Sequence, residues 1–117
     1  AITTAKLSKN IGVAQATALV PSGTSQTIDF NDGNTQFLSL ASATGTVVVT
    51  LSNPAAGSYY WIWITQGATP RAITWPASVK WPQGVAPILS TTNGNVDLVW
   101  LYYTGSEYRG QWELDFR

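Results

Sequence analysis

No cysteine and no histidine occur in this sequence. Without cysteine there is no disulfide framework and no thiolate chemistry. Without histidine the usual general base, the usual zinc ligand and the usual switch near neutral pH are missing. No cofactor is expected. Charge is scarce as well: six basic and six acidic residues give zero net charge, and only 10% of the chain is charged, against roughly 25% in an ordinary domain. A neutral chain lacks the basic patch that displaces counterions from nucleic acid, and it has no pull toward an anionic membrane surface. No apolar run approaches the roughly 18 residues of a membrane helix. No signal peptide or lipidation motif is read. Ala1 fits both a chain that has lost its initiator methionine and a segment of a longer protein.

What the chain does have is aromatic rings: six Trp, five Tyr and three Phe in 117 residues. One domain is expected at this length, burying roughly two-thirds of its unfolded surface. Low charge with many aromatics points to a surface largely covered by a partner.

Thr, Val, Ile, Trp and Tyr dominate after residue 20, in short runs separated by Gly, Pro, Asn and Ser. That is an all-β texture. Strands are read at 26–30, 35–41, 45–52, 58–66, 71–75, 86–90, 95–103 and 107–116, with turns at 31–34, 53–57, 91–95 and 104–106. Short links favour antiparallel neighbours. The expected fold is an antiparallel β-sandwich of jelly-roll type over 21–117. Residues 1–20 are small and polar, hold two of the three lysines and carry no aromatic. They read as an extended N-terminal arm ordered by docking, with Thr3, Thr4, Lys6, Leu7 and Lys9 as candidate attachment residues.

Alternation assigns the strand faces. In 58–66, Tyr60, Ile62 and Ile64 point one way and Tyr59, Trp61 and Trp63 the other. In 95–103, Val96, Leu98, Trp100 and Tyr102 alternate with Asp97, Val99, Leu101 and Tyr103. Both faces of both strands are apolar, whereas a sheet with one wet face alternates apolar with polar. Such strands are either central and covered on both sides, or packed on one face against another subunit. About 100 residues leave little spare chain to cover both faces, so self-association is the preferred reading. Tyr59, Trp61, Trp63, Trp100 and Tyr102 are the candidate oligomer contacts.

Catalytic constellations are thin. Asp29, Asn31 and Asp32 cluster in DFNDGN, but the spacing fails an EF-hand loop, and a hairpin turn using Asp32-Gly33 is the better reading. Asp97, Glu107 and Glu113 are not paired as glycosidase carboxylates would be. Strand-end and salt-bridge roles beside Arg71, Arg109 and Arg117 account for the acids better. Ser22 and Ser106 read as turn residues, and no phosphate-binding glycine loop is present. An enzyme is not expected. A sugar platform could draw on Tyr59, Trp61, Trp75, Trp81, Tyr103, Tyr108 and Trp112, with Asn53, Gln66, Lys80 and Gln83 as polar partners. Core and interface roles explain most of these rings, because each buries ~150–250 Å².

Residues 73–84, ITWPASVKWPQG, place Trp75 and Trp81 before prolines. Proline ends a strand ladder and holds the preceding residue extended. The stretch therefore reads as a corner with two rigidly aimed indoles, equally suited to packing or to a ligand face of Trp75, Trp81 and Tyr108.

The series from YYWIWITQ through ITWP, VKW, PILST and NVDLVWLYY to the closing Tyr/Trp-rich strand resembles a module of tailed-bacteriophage virion proteins, found in fibre and capsid-decoration contexts. The likeness covers about residues 46–117. Here VKW is followed by PQG rather than a plain Gly-Gly turn. ITTAKLS is similar to short segments in phage fibre shafts. The resemblance implies a non-enzymatic virion surface protein, built as a homotrimer and made in the host cytoplasm. Its implied partners are the phage major capsid protein or another virion protein. The alternative it leaves open is a tail-fibre tip that binds host-surface glycan. It implies no catalytic residues.

Overall fold

Burial along the strands follows the period of two and sorts the chain into two layers. The computed structural model describes residues 17–117. Its strands are β1 (Ser25–Asp29), β2 (Thr35–Ser39), β3 (Val47–Ser52), β4 (Tyr59–Thr65), β5 (Ile73–Thr74), β6 (Val79–Lys80), β7 (Val96–Tyr103) and β8 (Tyr108–Phe116). They form a three-stranded sheet in the order β1-β3-β5 and a five-stranded sheet in the order β2-β4-β7-β8-β6. The fold is all-β with two sheets.

The pairing departs from the antiparallel jelly roll expected from short links. Four of the six strand pairings are parallel: β1 with β3, β2 with β4, β3 with β5 and β6 with β8. The cause lies in the connections. Phe30–Asp32 form a 3-10 turn that carries the chain from the first sheet to the second instead of folding it back beside β1. Asp29 holds this turn, its Oδ1 accepting from the Asn31 N–H and from Asn53 Nδ2, both at 2.9 Å. DFNDGN is therefore a bend between layers, not a hairpin. Each successive strand from β1 to β5 lands in the other sheet, so each pairs in the same direction with the strand two before it. The winding is solenoid-like through β5. The antiparallel pairings all involve β7, with β4 on one side and β8 on the other, while β8 also pairs parallel with β6. The β7–β8 hairpin closes where Thr104 N–H donates to the Glu107 carbonyl at 2.9 Å.

The core lies between the layers. Ile28, Phe30, Val47 and Val49 meet Leu38, Tyr60, Ile62, Ile64, Val99 and Leu101, all at most 2% exposed. Phe30 stacks on Tyr60 with ring centroids 3.8 Å apart. The Tyr60 hydroxyl accepts from the Ala55 N–H at 2.8 Å, which satisfies its polar end. Parallel register stacks like on like, as in Leu38 beside Ile64 and Ile28 beside Leu51.

Two further expectations change. Residues 86–90 form no strand, because Pro87 cannot donate to a ladder; the short strand in this region is β6, at 79–80. Leu19, placed in the arm by composition, is bridged to the edge of β2. Its N–H donates to the Phe37 carbonyl and its carbonyl accepts from the Ser39 N–H, both at 2.8 Å. The candidate attachment residues Thr3, Thr4, Lys6, Leu7 and Lys9 lie outside the described residues.

Candidate functional site: an aromatic sheet face

The outer face of the five-stranded sheet is built by register. β4 and β7 run antiparallel with Trp61 opposite Trp100 and Tyr59 opposite Tyr102. Cross-strand rings on one face lie close enough to touch: Tyr59–Tyr102 centroids are 4.9 Å apart and Trp61–Trp100 centroids 5.8 Å. β2 adds Phe37 beside Trp63. The end of β8 adds Phe116, edge-on to Trp63 at 5.6 Å. Tyr59 is 53% exposed, Phe116 44%, Phe37 42% and Trp61 38%; Trp63, Trp100 and Tyr102 are half-buried. The five residues assigned by alternation thus share one face and point away from the core. Phe37 was available to the same alternation, since Leu38 beside it points inward. Phe116 was not, because a register shift between Val96 and Leu98 brings it to Trp63.

The polar rim is self-satisfied. The Arg109 guanidinium pairs with Glu107 at 2.7 Å, and Arg117 with Asp115 at 2.9 Å. These pairs are solvent-exposed and contribute little stability.

The proposed ligand face does not assemble as a platform. Tyr108 is 4% exposed and belongs to the core, between Phe30 and Tyr103. Burial, then the neighbouring phenols of Tyr103 and Tyr60, push its pKa above the ordinary tyrosine value. Trp75, Trp81 and Trp112 form an edge-to-face chain, with centroids 5.6 Å apart for Trp75–Trp81 and 5.8 Å for Trp81–Trp112. All three pack against the core. Trp81 lies on β8 where Gly110 leaves room: a Cβ there would stand 2.4 Å from Trp81 Cζ3. The corner reading of ITWPASVKWPQG holds. One edge of Trp81 still borders a surface concavity with Lys80, Pro82, Arg109, Gly110 and Gln111.

The other candidates take structural roles. The Asp97 carboxylate, 1% exposed, accepts from Ser90 N–H at 2.8 Å, Ser90 Oγ at 2.7 Å and Asp115 N–H at 2.9 Å. It pins Ser90 and the end of β8 to β7. The Gln66 side chain is spent on the Arg71 backbone, donating to its carbonyl at 2.7 Å and accepting from its N–H at 3.0 Å. Among the described residues no group of three acids, His or Cys could hold a metal ion. No helix among them is long and apolar enough to cross a membrane. Comparison with protein-family models, with curated proteins and with solved structures finds no match to this chain.

Proposed function

We propose that this chain is a non-enzymatic structural protein of a bacteriophage virion, a capsid decoration or head-fibre protein that forms homotrimers on the particle surface. The observation that carries this reading is the exposed aromatic face of Phe37, Tyr59, Trp61, Trp63, Trp100, Tyr102 and Phe116. With ~150–250 Å² per ring, the four most exposed residues alone offer roughly 350 Å². The half-buried rings beside them bring the patch to about half of the ~800 Å² that one partner contributes to a standard interface. A patch of roughly 400 Å² falls in the range of the largest apolar patch on a typical monomer, and such patches are often functional. The likeness of residues 46–117 to phage fibre and decoration modules supplies the biological setting, in which several weak attachments bind a shell firmly through avidity.

The test is sedimentation equilibrium of the purified chain together with binding to particles. A trimer is expected, and removing residues 1–16, which leaves the Leu19 bridge intact, should abolish particle binding. A monomeric wild type, or unchanged binding after truncation, refutes the proposal. A second reading, a tail-fibre tip that binds host glycan, is favoured by one feature, the indole edge of Trp81 beside Lys80, Arg109 and Gln111. Glycan-array binding that is lost in Trp81→Ala would support it.

A further inference from the structure

Strands alternate between the two sheets through β6, so the segment after β6 is due in the three-stranded sheet beside β5. Residues 86–90 nevertheless form no strand. Among the described residues no backbone hydrogen bond joins 86–91 to β5. The segment is still held in place: Leu89 is buried, and Ser90 donates twice to the Asp97 carboxylate. Between it and β5 lies a concavity of about 340 Å³, within the ~300–1,000 Å³ of ligand clefts. One wall is residues 70–73, and the other is residues 87–89 with Thr91. No residue of β1 or β3 lines it, so it lies off the edge of the sheet and not on its face. Ile73, Ile88 and Leu89 make its walls largely aliphatic.

Two features say what this groove takes. The first is an unanswered backbone edge. β5 is the last strand of its sheet. The Val47 N–H donates to the Ala72 carbonyl at 3.0 Å, and Val48 is in register with Thr74. Ala72 and Thr74 therefore turn their backbone groups toward β3, and Ile73 between them turns its N–H and C=O to the open side. A helix has spent its own backbone groups internally and cannot answer these; an extended segment can. The second feature is a cation without a counter-charge. Arg71, on the same wall, donates through Nε to the Ala43 carbonyl at 3.1 Å, and its other guanidinium donors have no partner among the described residues. The carboxylate pairs described there belong to Arg109 and Arg117. We propose that the groove takes an extended segment of another protein, aliphatic with one acidic residue, which adds to β5 as a strand and sets its carboxylate on Arg71. The N-terminal arm of this chain does not have that chemistry, because residues 1–16 hold two lysines and no acid. The inference does not rest on the trimer reading, whose aromatic face belongs to the other sheet.

The experiment pans a random peptide library against the purified wild type, then titrates the strongest peptide, synthesised and labelled, by fluorescence anisotropy. The variants are Arg71→Gln and, because Arg71 also bonds to Ala43, Ile88→Asp, whose site is 83% exposed and free to change without disturbing the fold. Circular dichroism checks both. Enriched peptides should combine aliphatic residues with Asp or Glu, and each variant should weaken binding about tenfold or more. Amide exchange followed by NMR should show the Ile73 N–H exchanging fast in the free protein and slowly with peptide bound. No enrichment, enriched peptides that lack an acid, unchanged affinity in Ile88→Asp, or an Ile73 amide that the peptide does not protect would each overturn the proposal. Sedimentation equilibrium separates the two readings: a monomer that binds the peptide in this way sinks the trimer and keeps the groove.

Discussion

Replacing Gly110 with alanine should destabilise this protein, although the change would ordinarily help. Gly110 sits inside β8, outside the left-handed region that favours glycine. Gly→Ala at such a site usually adds about 0.4–1 kcal/mol by restricting the unfolded chain. Here the new Cβ would meet Trp81 Cζ3 at 2.4 Å, Cε3 at 2.6 Å and Cη2 at 3.1 Å, well inside the ~3.5–4.0 Å of an unstrained carbon contact. The indole has little freedom to retreat. It is packed edge-to-face with Trp75 and with Trp112, and Pro82 restricts the backbone behind it. Overpacking of this kind costs about 1–3 kcal/mol, so a net loss of roughly 1.5 kcal/mol is expected once the entropic gain is subtracted. Urea unfolding at fixed protein concentration should show the midpoint falling by about 0.5–1.5 M with an unchanged slope. Gly23→Ala is the control: a Cβ there meets nothing within 4 Å, so only the entropic term remains and a gain of about 0.4–1 kcal/mol is expected. In a Trp81→Leu background the Gly110→Ala loss should shrink, giving a coupling of about 1 kcal/mol. A Gly110→Ala midpoint at or above wild type, or the same loss without the indole, would refute the reasoning.

Asp97→Ala removes the acceptor for two backbone N–H groups and a hydroxyl. A loss of about 3 kcal/mol is expected, since each buried donor left unpaired costs ~1–3 kcal/mol. The same urea curves measure it, and a loss no larger than that of exposed Asp32→Ala would contradict the clamp. The Tyr108 phenol has a higher pKa folded than the 10.0 of a free tyrosine. The unfolded state therefore loses its proton first. Stability from this group is intact below pH 10 and declines as pH rises above it, with a limiting slope of about 1.4 kcal/mol per pH unit. Tyr108→Phe should flatten that alkaline decline in a pH series of urea midpoints; an equally steep decline would count against the assignment.

Local pattern carried the faces of β4 and β7 because side chains alternate along a strand whatever it pairs with. Tyr60, Ile62 and Ile64 went inward and Tyr59, Trp61 and Trp63 outward, as alternation requires. Pre-proline geometry likewise identified the Trp75–Trp81 corner. Alternation fails as a guide to partners, because hydrogen bonding between strands is non-local. The short link at Phe30–Asp32 looked like a hairpin, yet a 3-10 turn capped by Asp29 sends the chain across the core. The same spacing in sequence thus gave parallel pairs instead of antiparallel ones.

By itself, then, the sequence determined an all-β chain with a doubly apolar sheet and no histidine or cysteine chemistry, because composition and period-two patterning are properties of the chain alone. Tertiary structure decided which rings are exposed. Tyr108 looked like a ligand contact and is core, while Phe116 joined the aromatic face only through a shifted register. It also decided that Trp81 needs Gly110, and that Asp97 is a clamp. Each of these depends on atoms brought together from distant parts of the chain, and no local pattern encodes that proximity.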